Sequence, residues 1–155
     1  MARRTSKAFT LAGFTLIELM VTILVAAILL SIAIPGYQTY IRKSRRTDAK
    51  TAVLDLAGRE ETLFSTMNKY STTPADVGYT GAFPATIGSG YYTINVAVTA
   101  PAANVVPTFL VTAVPVAGSS QAQDTACASF SVDQLGNQTA LDSGGADNTQ
   151  TCWGN

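Results

Sequence analysis

The sequence contains no histidine. That absence removes Ser-His-Asp and Cys-His catalysis and every His-ligated metal site. Cysteine is scarce too, with only Cys127 and Cys152. If the part of the chain that carries them is exported, they should form one disulfide. Charged residues make up 13% of the chain against 47% hydrophobic, and the formal net charge is zero. No global field therefore argues for nucleic acid. Lysine and arginine are missing altogether after Lys69, where Asp76, Asp124, Asp133, Asp142 and Asp147 remain. From Leu19 to Ile34 there is no charge of either sign, and only Thr22 and Ser31 interrupt the run as mild polar residues. There are no internal repeats, and 155 residues suffice for one domain and not comfortably for two.

What is present is organised around Gly13-Phe14-Thr15-Leu16-Ile17-Glu18 and the apolar run that ends at Ile34-Pro35-Gly36. As a helix, Phe14 to Pro35 would extend about 33 Å, enough to cross a hydrocarbon core of about 30 Å. A carboxylate in such a segment is costly, and such residues are usually paired and functional. Arg3, Arg4 and Lys7 precede the run without an acidic residue. Residues 1–13 thus read as a leader and not as a piece of fold. An ordinary secretory cleavage site does not follow the run. Positive charge before it favours a cytoplasmic N-terminus, whereas Arg42 to Arg46 after it oppose that rule, and the cysteines favour an external C-terminal part.

These residues carry a resemblance. Gly13-Phe14-Thr15-Leu16-Ile17-Glu18-Leu19 followed by an apolar run resembles the class III signal of type IV pilins and their pseudopilin relatives. The resemblance implies cleavage between Gly13 and Phe14, and N-methylation of the new Phe14 terminus, by a prepilin peptidase/methyltransferase. Glu18 matches the family's signature acidic residue, and Pro35, followed by Gly36, matches its helix break. The chemistry can be read beside it. Cleavage would leave a cationic amine at Phe14, and Glu18 stands four residues later on the same helical face. The carboxylate can neutralise its own terminus, at the positive end of the helix dipole, or capture the amine of a neighbour entering a dry filament core. Proline lacks the N–H that the preceding turn needs, so a kink or an unwound segment before Pro35 is expected.

From Gln38 to about Met67 the pattern turns amphipathic. Val53, Leu56, Leu63 and Met67 recur at helical spacing, with Ala49, Ala52, Ala57 and Phe64 beside them. Arg45, Arg46, Asp48, Arg59, Glu60 and Glu61 are assigned to the other faces. One helix from about Phe14 to Met67 would be roughly 80 Å long. Tyr70 to Gly90 reads as a connecting loop. Strands follow at Tyr91–Val98, Thr108–Val114 and Ala128–Asp133, with a turn at Leu135-Gly136-Asn137 and a short fourth strand at Gln138–Ala140. The expected fold class is α+β. A long N-terminal helix packs on an antiparallel sheet of three or four strands, with one C-terminal disulfide loop and, by the resemblance, a ladle shape. The expected divisions are 1–13 leader, 14–36 transmembrane and filament-core helix, 37–68 amphipathic half, and 69–155 globular head with the Cys127–Cys152 loop. In the resemblance this loop is the D-region, and Trp153 covers the bridge.

Seven basic residues against four acidic between Gly36 and Lys69, then five acidic and no basic, give a stem near +3 and a head near −5. That suits contact between copies, or two solvated surfaces. Asp142 to Asn148 supplies oxygen ligands without the EF-hand spacing and reads as a polar turn. No cofactor or metal motif is present, nor any nucleophile motif, so an enzyme is not expected. The segment from Ala126-Cys127 through Asp133-Gln134-Leu135-Gly136 to Cys152-Trp153 resembles PilE-type minor pilins. The implied function is a structural pilus subunit serving assembly, twitching motility, adhesion or DNA uptake. The alternatives are a type II secretion pseudopilin or a major pilin. The implied partners are other pilin subunits, the inner membrane, the prepilin peptidase and the pilus assembly platform, with nucleic acid left open. The implied location is the inner membrane with a periplasmic head, then the extracellular pilus.

Overall fold

The computed structural model describes residues 13–101 and 105–154. Residues 1–12 of the expected leader lie outside the described residues. The chain divides into two compact units between Thr39 and Tyr40.

In the first unit, helix α1 (Leu16–Met67) begins. Its first hydrogen bond runs from the Leu19 N–H to the Thr15 carbonyl, at 3.2 Å. The most apolar 18-residue window has a mean hydropathy of 2.7, and none of it is buried within the chain. By length and composition this helix can cross a membrane. Three of its hydroxyls bond the helix's own carbonyls. Thr22 donates to the Leu19 carbonyl at 2.8 Å, Ser31 to Ile28 at 2.7 Å, and Thr39 to Pro35 at 3.0 Å. At the expected helix break, α1 is helical through Pro35 and Gly36. Proline removes one i→i−4 bond and leaves the rest of the ladder, which a helix of 52 residues absorbs.

In the second unit, residues 40–67 of α1 bury Ala49, Val53, Leu56, Ala57, Glu60 and Leu63, spaced three or four apart. Met67, expected on this stripe, is 65% exposed. The helix ends where Asn68 takes a left-handed φ of 51° and its N–H bonds the Phe64 carbonyl at 2.8 Å.

The sheet is antiparallel and in chain order: β1 (Ala85–Ile87), β2 (Tyr92–Thr99), β3 (Thr108–Pro115), β4 (Ser129–Asp133) and β5 (Gln138–Leu141). It has five strands where the sequence pattern gave three or four. The extra one, β1, is three residues in the expected loop, too short to show alternation, and it exists by pairing Thr86 with Thr93. Along β2, β3 and β4 alternate residues are buried. Register aligns them into rows across the strands, Ile94–Ala113–Phe130–Ala140 and Val96–Val111–Val132. These rows and the helix stripe form one core. Phe109 meets the edge of Tyr70, which stacks on Phe64. The short helix α2 (Thr149–Trp153) closes the chain against β5, and Cys127 and Cys152 form the expected disulfide, with Cα atoms 5.8 Å apart.

Candidate functional site

Two places bring chemistry-bearing residues together, one in each unit. The first is the start of α1. Thr15 stands just before the helix and Glu18 is its third residue. The Glu18 N–H donates to Thr15 Oγ1 at 3.3 Å, and the Thr15 N–H to Glu18 Oε2 at 3.5 Å. This is a reciprocal capping box, which satisfies two of the helix's orphan N–H groups. The carboxylate also complements the positive end of the helix dipole. The sequence reading weighed Glu18 for a terminal amine and passed over this local use, although Thr-x-x-Glu announces it. In the intact chain, Phe14 is joined to Gly13 and carries no free amine. Phe14 is 81% exposed, and the Gly13–Phe14 bond sits immediately before the cap.

The second place is where the beginning of the second unit's helix meets the C-terminal segments. Arg46 holds Asp124 in a two-pronged ion pair, both contacts at 2.7 Å. The side chains are 12% and 5% exposed. Gln121, fully buried, donates through Nε2 to Tyr92 Oη at 2.9 Å and lies within reach of the Arg42 carbonyl and Asp124. Burial pushes the Tyr92 hydroxyl up to about 12, opposed by the Gln121 hydrogen bond. Arg45 lies 3.5 Å over the Tyr91 ring and donates to Ser120. Arg42 donates to Gln123 at 2.7 Å. The basic cluster is therefore largely engaged by its own chain at residues 120–124. No periodicity signals pairs that lie more than seventy positions apart in sequence.

Beside this cluster, Trp153 meets Phe130 edge-on, and its indole N–H donates to the Thr139 carbonyl at 2.9 Å. Lys50 Nζ approaches the Trp153 carbonyl at 3.3 Å. The carboxylates once weighed as cation ligands are bound into turns. Asp142 accepts the N–H groups of Gly144 and Ala146, and Asp147 accepts from Thr149. Hydrogen bonds from the Thr149 side chain and backbone hold Asp147 below its usual range. Among the described residues, no group of three or more His, Cys, Asp and Glu side chains is arranged to hold a metal.

Comparison with known proteins decides the family. Residues 12–34 match the prokaryotic N-terminal methylation motif. Residues 35–131, more than half of the chain, match the family model described as type IV minor pilin ComP, DNA uptake sequence receptor. The chain belongs to the type IV pilin family. Among curated relatives, it is 36% identical over 67 residues to the type IV major pilin protein PilA of Myxococcus xanthus, covering 43% of this chain and 30% of that one. It is 64% identical over 36 residues to prepilin peptidase-dependent protein D of Escherichia coli, covering 23% and 25%. It is 38% identical over 93 residues to the fimbrial protein EcpC of Eikenella corrodens, covering 59% and 57%. The chain thus spans between 25% and 57% of the length of these relatives. As a pilin, it combines the methylation motif with an apolar N-terminal helix that suits anchoring in a membrane and assembly into a filament.

Proposed function

We propose that this pilin is a structural subunit of a type IV pilus, and a minor one. Residues 1–13 are its leader, residues 14–36 its inner-membrane anchor and later its filament-core helix, 37–68 the amphipathic half of the helix, and 69–155 the head. A prepilin peptidase cuts between Gly13 and Phe14 and methylates the Phe14 amine. Other pilin subunits and the assembly platform are its partners, first in the inner membrane and then in the extracellular pilus. The observation that carries this reading is the position of Glu18. It is the one charge in the apolar segment, and its carboxylate already reaches the N–H of Thr15, the second residue after the scissile bond. Cleavage creates a cation one residue away. In the bilayer that cation is the subunit's own. In a filament it can belong to a neighbour, which sets register and polarity. The segment before Pro35, helical here, is the place where extension in the fibre would cost least, because one backbone bond is already missing.

Mass spectrometry of the mature chain should find an N-methylated Phe14 terminus, and an intact leader would overturn the reading. Glu18→Ala should insert in membrane yet enter filaments poorly, as read by its amount in sheared pili against the membrane pool. The wild-type subunit should be sparse in sheared pili, because a dominant share there would make it a major pilin.

The match to a DNA-uptake receptor family favours a second reading, a receptor for DNA. Phosphate neutralisation needs free cations. After Lys69 there are none, and Arg42, Arg45, Arg46, Arg59 and Lys69 already engage groups of their own chain, which leaves Lys43 and Lys50 as the cations of the stem without an acidic partner among the described residues. We expect salt-sensitive binding no tighter than the non-specific range of about 10⁻⁴–10⁻⁶ M, measured by fluorescence anisotropy on labelled duplexes. Sequence-selective binding would move this protein to the receptor reading.

A further inference from the structure

A groove of about 540 Å³ lies within the second unit, between α1 and β1, the strand at the free edge of the sheet. One wall is a face of the helix, where Asp48, Thr51 and Asp55 stand at spacings of three and four. The other wall includes Thr86 and Gly88, and Tyr79 adds an aromatic ring. Register shows what the β1 edge offers. The Val116 N–H donates to the Tyr91 carbonyl at 2.9 Å, so Tyr91 and, two residues on, Thr93 bond toward β3. Tyr92 stands opposite Pro115, which has no N–H to give. Tyr92 and Ile94 therefore bond toward β1, at Ile87 and Ala85. Thr86 falls between those two pairs, so its N–H and C=O point away from β2, to the open edge.

The helix wall offers charge. Asp48 is half-buried and accepts the Ser89 hydroxyl at 2.9 Å, with no salt-bridge partner among the described residues. Arg45, one turn before it, is engaged by the Tyr91 ring and Ser120. Asp55 is already taken by Arg59 and the Tyr79 hydroxyl. Gly88 has a φ of 54°, and a Cβ there would stand 3.2 Å from the Asp48 carboxylate. The turn after β1 thus packs on Asp48 and holds it beside the edge.

We propose that this groove docks an extended peptide segment of another protein, which pairs with Thr86 as an added strand and brings a lysine or arginine to Asp48. An extended backbone supplies both the acceptor and the donor that Thr86 lacks. A basic side chain supplies the charge that Asp48 lacks. Asp48 to Asp55 spans about 10 Å of helix, the length of about three extended residues, and β1 is itself three residues long. Beyond Lys69 the chain has acidic residues and no basic one, which favours a basic partner. The same fact argues against a second copy, because no strand of its sheet carries a cation. The basic residues from Arg42 to Arg59 lie in α1, and Lys69 is paired with Asp76. The site needs neither leader cleavage nor filaments, so its failure is separate from failure of the pilin reading.

The full chain, isotope-labelled in a neutral sugar detergent, is titrated with acetyl-Thr-Val-Lys-Val-Thr-amide and followed by its backbone amide NMR shifts. The expected result is a saturable shift at Thr86 and Gly88. Binding should weaken about tenfold or more when glutamine replaces the peptide's lysine. It should weaken as much in Asp48→Asn, which keeps an acceptor for Ser89. It should also be lost when both valine nitrogens are methylated, because side chains alternate and a residue beside the lysine is the one that faces Thr86. These two altered peptides are tested on the wild-type chain, so the result does not depend on the variant folding. No shift at Thr86 with millimolar peptide would overturn the proposal, and so would an equal shift with sodium chloride at matched ionic strength. Equal binding of the lysine and glutamine peptides would overturn the pairing with Asp48. A Thr86 shift that grows with protein concentration in the absence of peptide would give the edge to a second copy and overturn the assignment to another protein.

Discussion

Glu60 is the residue whose surroundings contradict its chemistry most. It is fully buried in the helix stripe, although its charge assigns it to a solvated face. Its position explains the burial: it follows Leu56 by four and precedes Leu63 by three. One carboxylate oxygen accepts the Ser71 N–H at 3.0 Å, while the other has no partner among the described residues. Burial raises its protonation point above the ordinary carboxylate value of 4.5. Asp76 and Glu61 add to this, and the Ser71 bond opposes it. A raised acid binds its proton more tightly folded than unfolded. Its contribution to stability is therefore present below pH 4.5, is lost as pH rises through the folded value, and remains a cost at neutral pH. Glu60→Gln keeps an acceptor for Ser71 and removes the charge. It should raise stability at pH 7 by at least about 1 kcal/mol and flatten the pH dependence above 4.5, read by thermal melts across pH. Asp133 is the opposite case. The Asn137 side chain, with the N–H groups of Asn137 and Leu135, holds its carboxylate below the usual range and shapes the β4–β5 turn. Gly136 there takes a φ of 76°, which a side chain would strain.

At the scale of elements, the helix and the 120–124 segment are joined by a polar lock inside a mostly apolar contact. Arg46 and Asp124 are both largely out of water, so removing one partner strands the other. Asp124→Asn should cost about 3 kcal/mol or more, and Arg46→Met a similar amount, by chemical denaturation. The double variant Arg46→Met/Asp124→Leu should recover much of the loss, because no buried charge is left. The element boundaries that sequence made legible are those with strong period. The four expected strands fall within one residue or so of β2 to β5, because alternation with Val, Ile, Phe and Thr fixes both span and inward face. Legibility failed at β1, whose three residues are held by pairing alone.

At the scale of the whole molecule, the disulfide joins the segment before β4 to the last helix across 25 positions. In the chain-entropy model, closing that loop is worth roughly 3.5 kcal/mol. Reduction, or Cys127→Ala/Cys152→Ala, should lower stability by about that amount and release Trp153 from Phe130, seen as a red-shifted emission. By itself, the sequence determined the family, the apolar helix with its single carboxylate, the spans of four strands and the absence of lysine and arginine after Lys69. All of these are carried by residue type and spacing along the chain, which local physics reads directly. Only the tertiary structure decided which charges are spent. It paired Arg46 with Asp124, buried Glu60 and tied Gln121 to Tyr92. Those outcomes depend on which distant segments share a low-dielectric interior, and separation along the chain carries no record of that.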